Sequence, residues 1–226
     1  MGSSTIINSR LSLEQTEAIF ESLIHVAEYA DPDALDHVRR VSAYARFIAQ
    51  SVLHWPEQEA RRIGIAALVH DIGKVAIPRE LLLKPGGLSL AERQYVQQHT
   101  VHGYRILDEL QSKQVSRLVE VDSDLFELAK QVALHHHENW DGTGYPGGLA
   151  KDRIPTAAQV VKIADVIDAL LSPRPYKLPQ SWEQVRTQLL MGAGWQFDRA
   201  LLYGLLDVED EFVALVKSQL YTVSSA

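Results

Sequence analysis

The chain is organised around the stretch Ala67-Leu-Val-His70-Asp71-Ile-Gly73-Lys74-Val-Ala-Ile-Pro78, in which an adjacent histidine and aspartate follow an apolar run. The run, residues 63–69, is typical of the end of a buried helix. An imidazole and a carboxylate at such a position are costly to bury unless something pairs with them. A metal ion satisfies both, so the function depends on which other residues complete that site.

Composition limits the classes of protein and of partner. The 226 residues, 46% apolar and 23% charged, are typical of a globular protein with a substantial core. The absence of cysteine excludes disulfides and thiolate metal sites, and a net charge of -7 argues against nonspecific binding of nucleic acids. No apolar stretch approaches the ~20 residues of a membrane span, and the N-terminus lacks the features of a signal peptide. We therefore expect a cytoplasmic protein without a membrane segment.

Apolar residues recur at helical spacing along most of the chain, and sustained alternation of β-branched residues is absent. The longest predicted helices cover about 12–29, 31–53, 56–70, 125–137 and 155–171. Capping boxes at Ser89 and Ser181 open two more, and the first of these is expected to carry His99. The stretch Asn139-Trp-Asp-Gly-Thr-Gly-Tyr-Pro-Gly-Gly148 can only be a loop.

These elements predict an all-α fold, a single-domain helical bundle with one glycine-rich functional loop. Residues 1–30 are expected to form an N-terminal helix that packs on the core, with a tag or linker remnant at 1–10. Residues 31–226 then form the catalytic domain.

Seven side chains are candidate metal ligands, because each carries an imidazole or a carboxylate and lies on, or at the end of, a predicted helix that could face the same core. They are His37, His70, Asp71, His99, His136, His137 and Asp165. One ion with an open coordination position takes about three or four protein ligands, so seven indicate two ions. Asp71 is the expected bridge, which would hold the ions ~3.5–4 Å apart. Such a pair of ions would lower the pKa of a bridging water and make a hydroxide nucleophile at neutral pH. Nitrogen and oxygen ligands suit Fe, Mn, Zn, Co and Ni without choosing among them.

The order of these residues resembles that of the HD-GYP family, a branch of the HD-domain metal-dependent phosphohydrolases. The matching motifs are His37, His70-Asp71-Ile-Gly-Lys74, His99 with Gly103, His136-His137-Glu138, Gly144-Tyr145-Pro146, Asp165 and Arg174-Pro-Tyr-Lys177. The resemblance covers about residues 31–207. It implies an all-α fold of HD-domain type and a cyclic di-GMP phosphodiesterase whose two or three metals are commonly iron or manganese. The implied product is pGpG, GMP or both.

The resemblance also implies a role for each matching residue. The ligands common to HD domains would be His37, His70, Asp71 and Asp165, and the ligands that build the other site would be His99, His136 and His137. Asp71 and Lys74 would be the catalytic residues. Lys74 would stabilise the scissile phosphate or protonate the leaving oxygen. Arg174 and Lys177 would bind phosphates, as phosphoryl transfer requires charge neutralisation on the phosphate oxygens.

Two further positions follow from the resemblance. Gly144 and Tyr145 belong to the glycine-rich loop beside the site, where we expect them to shape the substrate or to contact signalling proteins. Asp33 stands where some family members carry a glutamate that binds a third metal. Because aspartate is one methylene shorter, we expect two ions and keep Asp33 as the candidate ligand of a third.

Three hypotheses about function remain open at this point. The leading one is hydrolysis of cyclic di-GMP. The alternatives are a weakly catalytic module that binds cyclic di-GMP and acts through partner proteins, and a hydrolase of another cyclic dinucleotide. A homodimer is compatible with each of them.

Several residues also have more than one interpretation. His102 shares the helix face of His99 and is an alternative ligand. Asp168 is a structural carboxylate, a support for a ligand or a substrate contact. We interpret His25 and His54 as core histidines with hydrogen-bonded rings.

Overall fold

The structure of the protein is a computed structural model that describes residues 11–27, 32–114, 122–172 and 178–222. The side chains of residues 32–34, 113–114 and 221–222 lie outside the description. The helices of the described ranges are α1 Leu13–Ala27, α2 Pro32–Ser51, α3 Glu57–Leu68, α4 Arg79–Leu82, α5 Leu90–Gln97, α6 His99–Glu109, α7 Ser123–His135, α8 Thr156–Leu171, α9 Trp182–Gly192, α10 Arg199–Asp207 and α11 Glu209–Thr222. Short 3₁₀ turns cover Ile72–Ala76 and Lys151–Arg153, and a π-helical turn covers Leu110–Gln114.

The predicted all-α fold is confirmed. The described ranges contain no β-strand, and their two isolated bridges join Asp141 with Ala150 and Ala193 with Phe197. No helix among the described residues combines the length and the apolar character that a membrane span requires.

The core forms where α2 packs against α3 and α8. Its side chains are almost fully buried, as at Val41 and Ile48 of α2, Ile63 of α3 and Ile167 of α8. Full burial of such a side chain stabilises a fold by about 1.5–3 kcal/mol. The helical spacing of these apolar residues therefore turns one face of each of α2, α3 and α8 towards the shared core.

Helix α1 joins this core through Phe20, whose ring packs edge-to-face on Phe126 of α7 at 5.3 Å between ring centroids. The division into an N-terminal helix and a catalytic domain stays a prediction, and the proposed tag remnant at 1–10 lies outside the described residues. His25 and His54 are both exposed, so their interpretation as core histidines is wrong. His25 lies on the outer face of α1, and His54 lies in the turn that follows α2.

Capping side chains begin several helices where the sequence predicts them. Ser89 and Ser181 form capping boxes with Glu92 and Gln184. The prediction of one helix from Ser89 through His99 is wrong in one respect, because α5 ends at Gln97 and α6 begins at His99. At this break the backbone of His99 approaches the turn Ile72–Ala76 so closely that a Cβ atom on Gly73 would lie 1.9 Å from the carbonyl oxygen of His99.

Candidate metal centre

The seven candidate ligands come together from five parts of the chain. His70 and Asp71 follow α3, His136 and His137 follow α7, His99 begins α6, and α2 and α8 carry His37 and Asp165. They divide into two groups, in each of which one ligand atom from every member lies within 4.8 Å of the others. One group is Asp71, His99, His136 and His137, and the other is His37, His70 and Asp165.

Asp71 lies between the two groups. Its Oδ2 atom is 3.3 Å from Nε2 of His70. Its Oδ1 atom is 3.2 Å from Nε2 of His99 and 3.7 Å from Nε2 of His136. One carboxylate oxygen therefore faces each group, which is the arrangement that a bridging carboxylate requires.

Backbone carbonyls orient three of the imidazoles. Nδ1 of His70 donates to the carbonyl of Ala67 at 2.7 Å, and Nδ1 of His99 donates to Val96 at 2.8 Å. His136 makes the same type of bond to Val132 at 3.0 Å. Because Nδ1 carries the proton in each bond, the lone pair of Nε2 points into the centre, as metal-binding histidines require.

The atoms that face the centre have no hydrogen-bond partner among the described residues. They are Nε2 of His70, His99 and His136 and Oδ1 of Asp71, all of them buried. Buried polar atoms in proteins are nearly always hydrogen-bonded. Four such atoms converging at one place, with nitrogen and oxygen donors only, fit a divalent metal centre.

At Asp71, His136 and His137 the electrostatics favour the protonation states that metal ligands need. Burial lowers the pKa of His136 and of His137, so these rings are neutral. Burial raises the pKa of Asp71, but the opposing effects, led by the charges of Lys74 and His70, are together larger. The pKa therefore lies well below its ordinary value, and this carboxyl is ionised. At His70 burial lowers the pKa, but the neighbouring Asp71 raises it above the ordinary value. A cation bound by Asp71 would oppose that last effect, because it competes with the proton for Nε2.

The predicted catalytic lysine lies at the centre. The ammonium group of Lys74 forms an ion pair with Oδ2 of Asp71, three residues earlier in the chain. The side chain of Lys74 is 35% exposed, whereas that of Asp71 is 9% exposed. Lys74 therefore reaches from the buried carboxylate towards the surface, where a substrate would approach.

The glycine-rich loop is fixed to the end of α7. Glu138, 1% exposed, accepts hydrogen bonds from the backbone N–H groups of Gly147 at 2.7 Å and Leu149 at 3.0 Å. The ring of Tyr145 stacks on His137, with 4.7 Å between ring centroids and 24° between the planes. Gly144 lies so close to the preceding backbone that a Cβ atom would be 2.2 Å from the nitrogen of Asn139. The loop therefore packs directly on one of the candidate ligands.

Three predicted residues cannot be placed. Arg174 and Lys177 lie outside the described residues, as does the side chain of Asp33. Their roles stay predictions. His102 is half-buried and belongs to neither group of ligands, so the structure favours His99 over this alternative.

Sequence reasoning missed two buried cations and left one carboxylate undecided. Asp168 accepts hydrogen bonds from His37 and from Arg40. Lys162 lies buried in α8, three residues before Asp165. The available signals were the spacing of Arg40 from His37 and a lone lysine within the apolar run of α8.

Comparisons with known proteins show a family and several relatives to which the chain is similar. The family model described as HD domain matches residues 21–201. A 3'3'-cGAMP-specific phosphodiesterase 2 of Vibrio cholerae is 37% identical over 210 residues, which cover 92% of this chain and 38% of that protein. A cyclic di-GMP phosphodiesterase of Thermotoga maritima is 34% identical over 201 residues, which cover 89% of this chain and 51% of that protein. The chain thus spans about half the length, or less, of these relatives.

A solved structure extends the comparison to the fold. An HDG"Y"P protein from Bdellovibrio bacteriovorus matches with a TM-score of 0.61 at 16% identity, covering 88% of this chain and 65% of that one. At this level of identity the match concerns the fold alone, and it agrees with the helical architecture described above.

Proposed function

This chain belongs to the HD-domain family, in its HD-GYP branch, and we propose that it is a metal-dependent phosphodiesterase that hydrolyses a cyclic dinucleotide. The observation that carries the proposal is the position of Asp71, whose two carboxylate oxygens face two separate groups of ligands. A centre of this kind suits the displacement of a phosphate ester, because attacking and leaving oxygens both need stabilisation.

In this proposal each group holds one divalent ion, iron or manganese in the first instance, with zinc, nickel or cobalt as alternatives. When bound, two such ions stabilise charge on phosphoryl oxygens and lower the pKa of a water molecule. His37, His70 and Asp165 would hold one ion, and His99, His136 and His137 would hold its neighbour, with Asp71 between the two groups. Asp33 remains the candidate ligand of a third ion, which we do not expect.

The protein's own groups orient the substrate and control protons. Lys74, paired with Asp71 and reaching towards solvent, stabilises the scissile phosphate or gives a proton to the leaving oxygen. Arg174 and Lys177 are proposed to bind phosphate oxygens. Tyr145 and Gly144 form the wall beside His137 and limit the access of water and the shape of the substrate.

Cyclic di-GMP is the proposed substrate, with pGpG, GMP or both as products. The relative from Thermotoga maritima bears the name of that activity. 3'3'-cGAMP is a second candidate, because the relative from Vibrio cholerae that is 37% identical is named for it. The proposal also includes a cytoplasmic location, a homodimer, and contacts of signalling proteins with the Gly144-Tyr145-Pro146 loop. Cell fractionation tests the location, and analytical ultracentrifugation tests the dimer. Pull-down experiments with Tyr145→Ala as the control test the contacts with signalling proteins.

The test is a reconstitution of anaerobically purified protein with iron or manganese, followed by chromatography of the products from both cyclic dinucleotides. We expect hydrolysis of cyclic di-GMP by the wild type and none by Asp71→Ala. Asp210→Ala, an exposed aspartate of α11 outside both ligand groups, is the matched control and should retain activity. Tight binding of cyclic di-GMP without turnover by the metal-loaded wild type would favour a binding module. Full turnover by Asp71→Ala would exclude the proposed centre.

A further inference from the structure

Two helices present matched pairs of side chains to each other. Helix α2 carries His37 and Arg40, and helix α8 carries Asp165 and Asp168, each pair three residues apart. Residues at this spacing share a helix face, and α2 packs against α8. Nε2 of His37 therefore meets Oδ1 of Asp165 at 3.4 Å, and one helical turn further along, Arg40 meets Asp168.

Four hydrogen bonds from three residues occupy the carboxylate of Asp168. Its carboxylate accepts hydrogen bonds from Nδ1 of His37 at 2.8 Å, from Nε and Nη2 of Arg40 at 2.6 and 3.0 Å, and from the hydroxyl of Ser172 at 3.1 Å. A carboxylate offers about four acceptor positions. Since Asp168 is fully buried, its contacts leave it one function, which is to hold the groups around it.

His37 is oriented in a different way from three of the other imidazoles of the centre. The rings of His70, His99 and His136 are held by nearby backbone carbonyls, so their orientation follows from the fold of their own segments. The ring of His37 is held by the side chain of Asp168, which is itself held by Arg40. The direction of its Nε2 therefore depends on Arg40, which makes no hydrogen bond to a candidate metal ligand in the described part of the chain.

Arg40 is suited to this task. It is 8% exposed and forms a two-bond contact with the carboxylate of Asp168, and Nη2 also donates to the hydroxyl of Ser172 at 3.0 Å. A paired contact between guanidinium and carboxylate fixes the carboxylate plane as well as its position. Removing one partner of a buried ion pair leaves an uncompensated charge, so the other side chain must move or find another contact.

We propose that Arg40 is a positioning residue of the metal centre, which acts through Asp168 to aim Nε2 of His37 at the divalent ion held with His70 and Asp165. The inference rests on the proposed function only in that this group binds a metal. It assigns Asp168 as the support for a ligand and excludes it as a substrate contact.

Metal binding tests the proposal without an activity assay. We expect the wild type to bind two equivalents of Mn²⁺ in calorimetry and metal analysis. Arg40→Met should retain one equivalent and lose about 10–100-fold in affinity for the other, the size of effect seen when a support of a ligand is removed. Arg40→Lys keeps the charge but loses the paired contact, so we expect an intermediate loss.

The chain supplies a matched control for a structural effect. Arg62 forms a similar two-bond contact with the buried Asp122, at 3.1 and 2.5 Å, and Asp122 caps α7 rather than holding a ligand. Arg62→Met should reduce stability and leave both metal equivalents in place. If Arg62→Met lost the same equivalent, or if Arg40→Met kept wild-type affinity for both, the proposal would be wrong.

A double-mutant cycle separates positioning from general damage. In a His37→Ala background, Arg40→Met should cause no further loss of Mn²⁺ affinity, because the ligand that Arg40 positions is absent. An equal loss in that background would contradict the proposal. If Arg40→Met does not fold, the same cycle is carried out with Arg40→Lys.

A spectroscopic readout is independent of bound metal. Long-range ¹H–¹⁵N spectra of the metal-free protein should show His37 protonated at Nδ1 in the wild type and in Arg62→Met, and a mixture of tautomers in Arg40→Met and Arg40→Lys. If the wild type bound no metal, the proposed function would fail, and these spectra would still decide whether Arg40 controls His37. An unchanged His37 tautomer in both Arg40 variants would overturn the inference.

Discussion

Glu138 holds the far end of the glycine-rich loop, because its carboxylate accepts a hydrogen bond from the backbone N–H of Gly147 at 2.7 Å. Glu138 directly follows His137 in the chain, so the residue that fixes the loop is adjacent to a candidate metal ligand. The loop returns over that ligand and places the ring of Tyr145 on the ring of His137. We therefore expect changes in the loop to affect the metal centre, and changes at the metal centre to affect the loop.

Glu138→Gln tests this connection. Glutamine has the same size, but one of its two acceptor oxygens is replaced by an amide that cannot accept a bond from a backbone N–H. We expect faster hydrogen exchange of the Gly147 or Leu149 amide, a loss of about 1–3 kcal/mol in local stability and a several-fold lower rate of hydrolysis, with both metals retained. Glu80→Gln, at an exposed glutamate of α4, should change none of these. Exchange rates equal to those of the wild type would show that Glu138 does not hold the loop.

Gly73→Ala should disrupt the candidate metal centre by displacing the backbone next to it. A Cβ atom at this position would lie 1.9 Å from the carbonyl oxygen of His99 and 2.4 Å from the backbone nitrogen of Gly103. The turn that follows Asp71 would have to move away from α6, which lengthens the 3.2 Å distance between Asp71 and His99. We expect a loss of at least about 2 kcal/mol in the free energy of unfolding and weaker metal binding, measured by denaturation and calorimetry.

Gly87→Ala is the control for that substitution. A Cβ atom on Gly87 meets nothing within 4 Å, so we expect a change of less than about 0.5 kcal/mol. Equal stability of the Gly73 and Gly87 variants would mean that the close approach of the Ile72–Ala76 turn to α6 is not maintained in solution.

The sequence was sufficient to predict the helices that carry the ligands, because each combines a long apolar period with a clear start or stop. Helix α8 follows Pro155 and ends where predicted, at Leu171. The break at Gln98 could not be predicted, because it reflects the close packing of His99 on Gly73 rather than any local preference. Tertiary contact decided the backbone at that point.

The site divides in the same way. The convergence of the seven candidate ligands could be expected from the types and the order of the residues, and the structure brings them into two neighbouring groups. The residues that orient those ligands could not be predicted. Spacing along a helix shows which residues lie on the same face, but it does not show which residues of another helix they contact. Arg40 and Asp168 lie 128 residues apart in the chain, and only packing of α2 on α8 pairs them.

Removal of metal should lower the thermal stability of the protein. Three imidazole nitrogens and one carboxylate oxygen are buried without a hydrogen-bond partner among the described residues, and a metal that binds only the folded state stabilises it. At a metal concentration of about 100 times Kd, each site contributes about 2.7 kcal/mol, which corresponds to a rise in Tm of several degrees for a chain of this size. Calorimetric scans with chelator and with added Mn²⁺ measure the effect. Asp71→Ala should show little of it, and equal Tm values for the wild type under both conditions would contradict the metal centre.

Lys162 gives the chain an unusual dependence of stability on pH. Its side chain is buried in α8, 7% exposed, and forms no hydrogen bond or ion pair with a described residue. It lines a cavity of about 10 Å³ together with Glu138 and Gln196. Burial lowers the pKa of Lys162 to about 8, although the charges of Asp165 and Glu138 oppose the change. The ordinary pKa of lysine, 10.5, applies to the unfolded chain.

The sign of the effect follows from proton binding. Between pH 8 and 10.5 the unfolded state binds more protons at Lys162 than the folded state does, so the contribution of this residue to stability rises with pH. Below pH 8 the folded protein keeps a buried charge, which costs about 3 kcal/mol when the two pKa values are compared. We therefore expect Lys162→Met to be more stable than the wild type at pH 7 by up to about 3 kcal/mol, and the difference to shrink towards pH 10.5. Urea denaturation at pH 7, 8.5 and 10, in the presence of chelator, measures it. Lys217→Met, at an exposed lysine of α11, is the control for the loss of a lysine side chain. If Lys162→Met behaved like Lys217→Met, or were less stable than the wild type at pH 7, the buried ammonium group of Lys162 would have a partner that stabilises its charge.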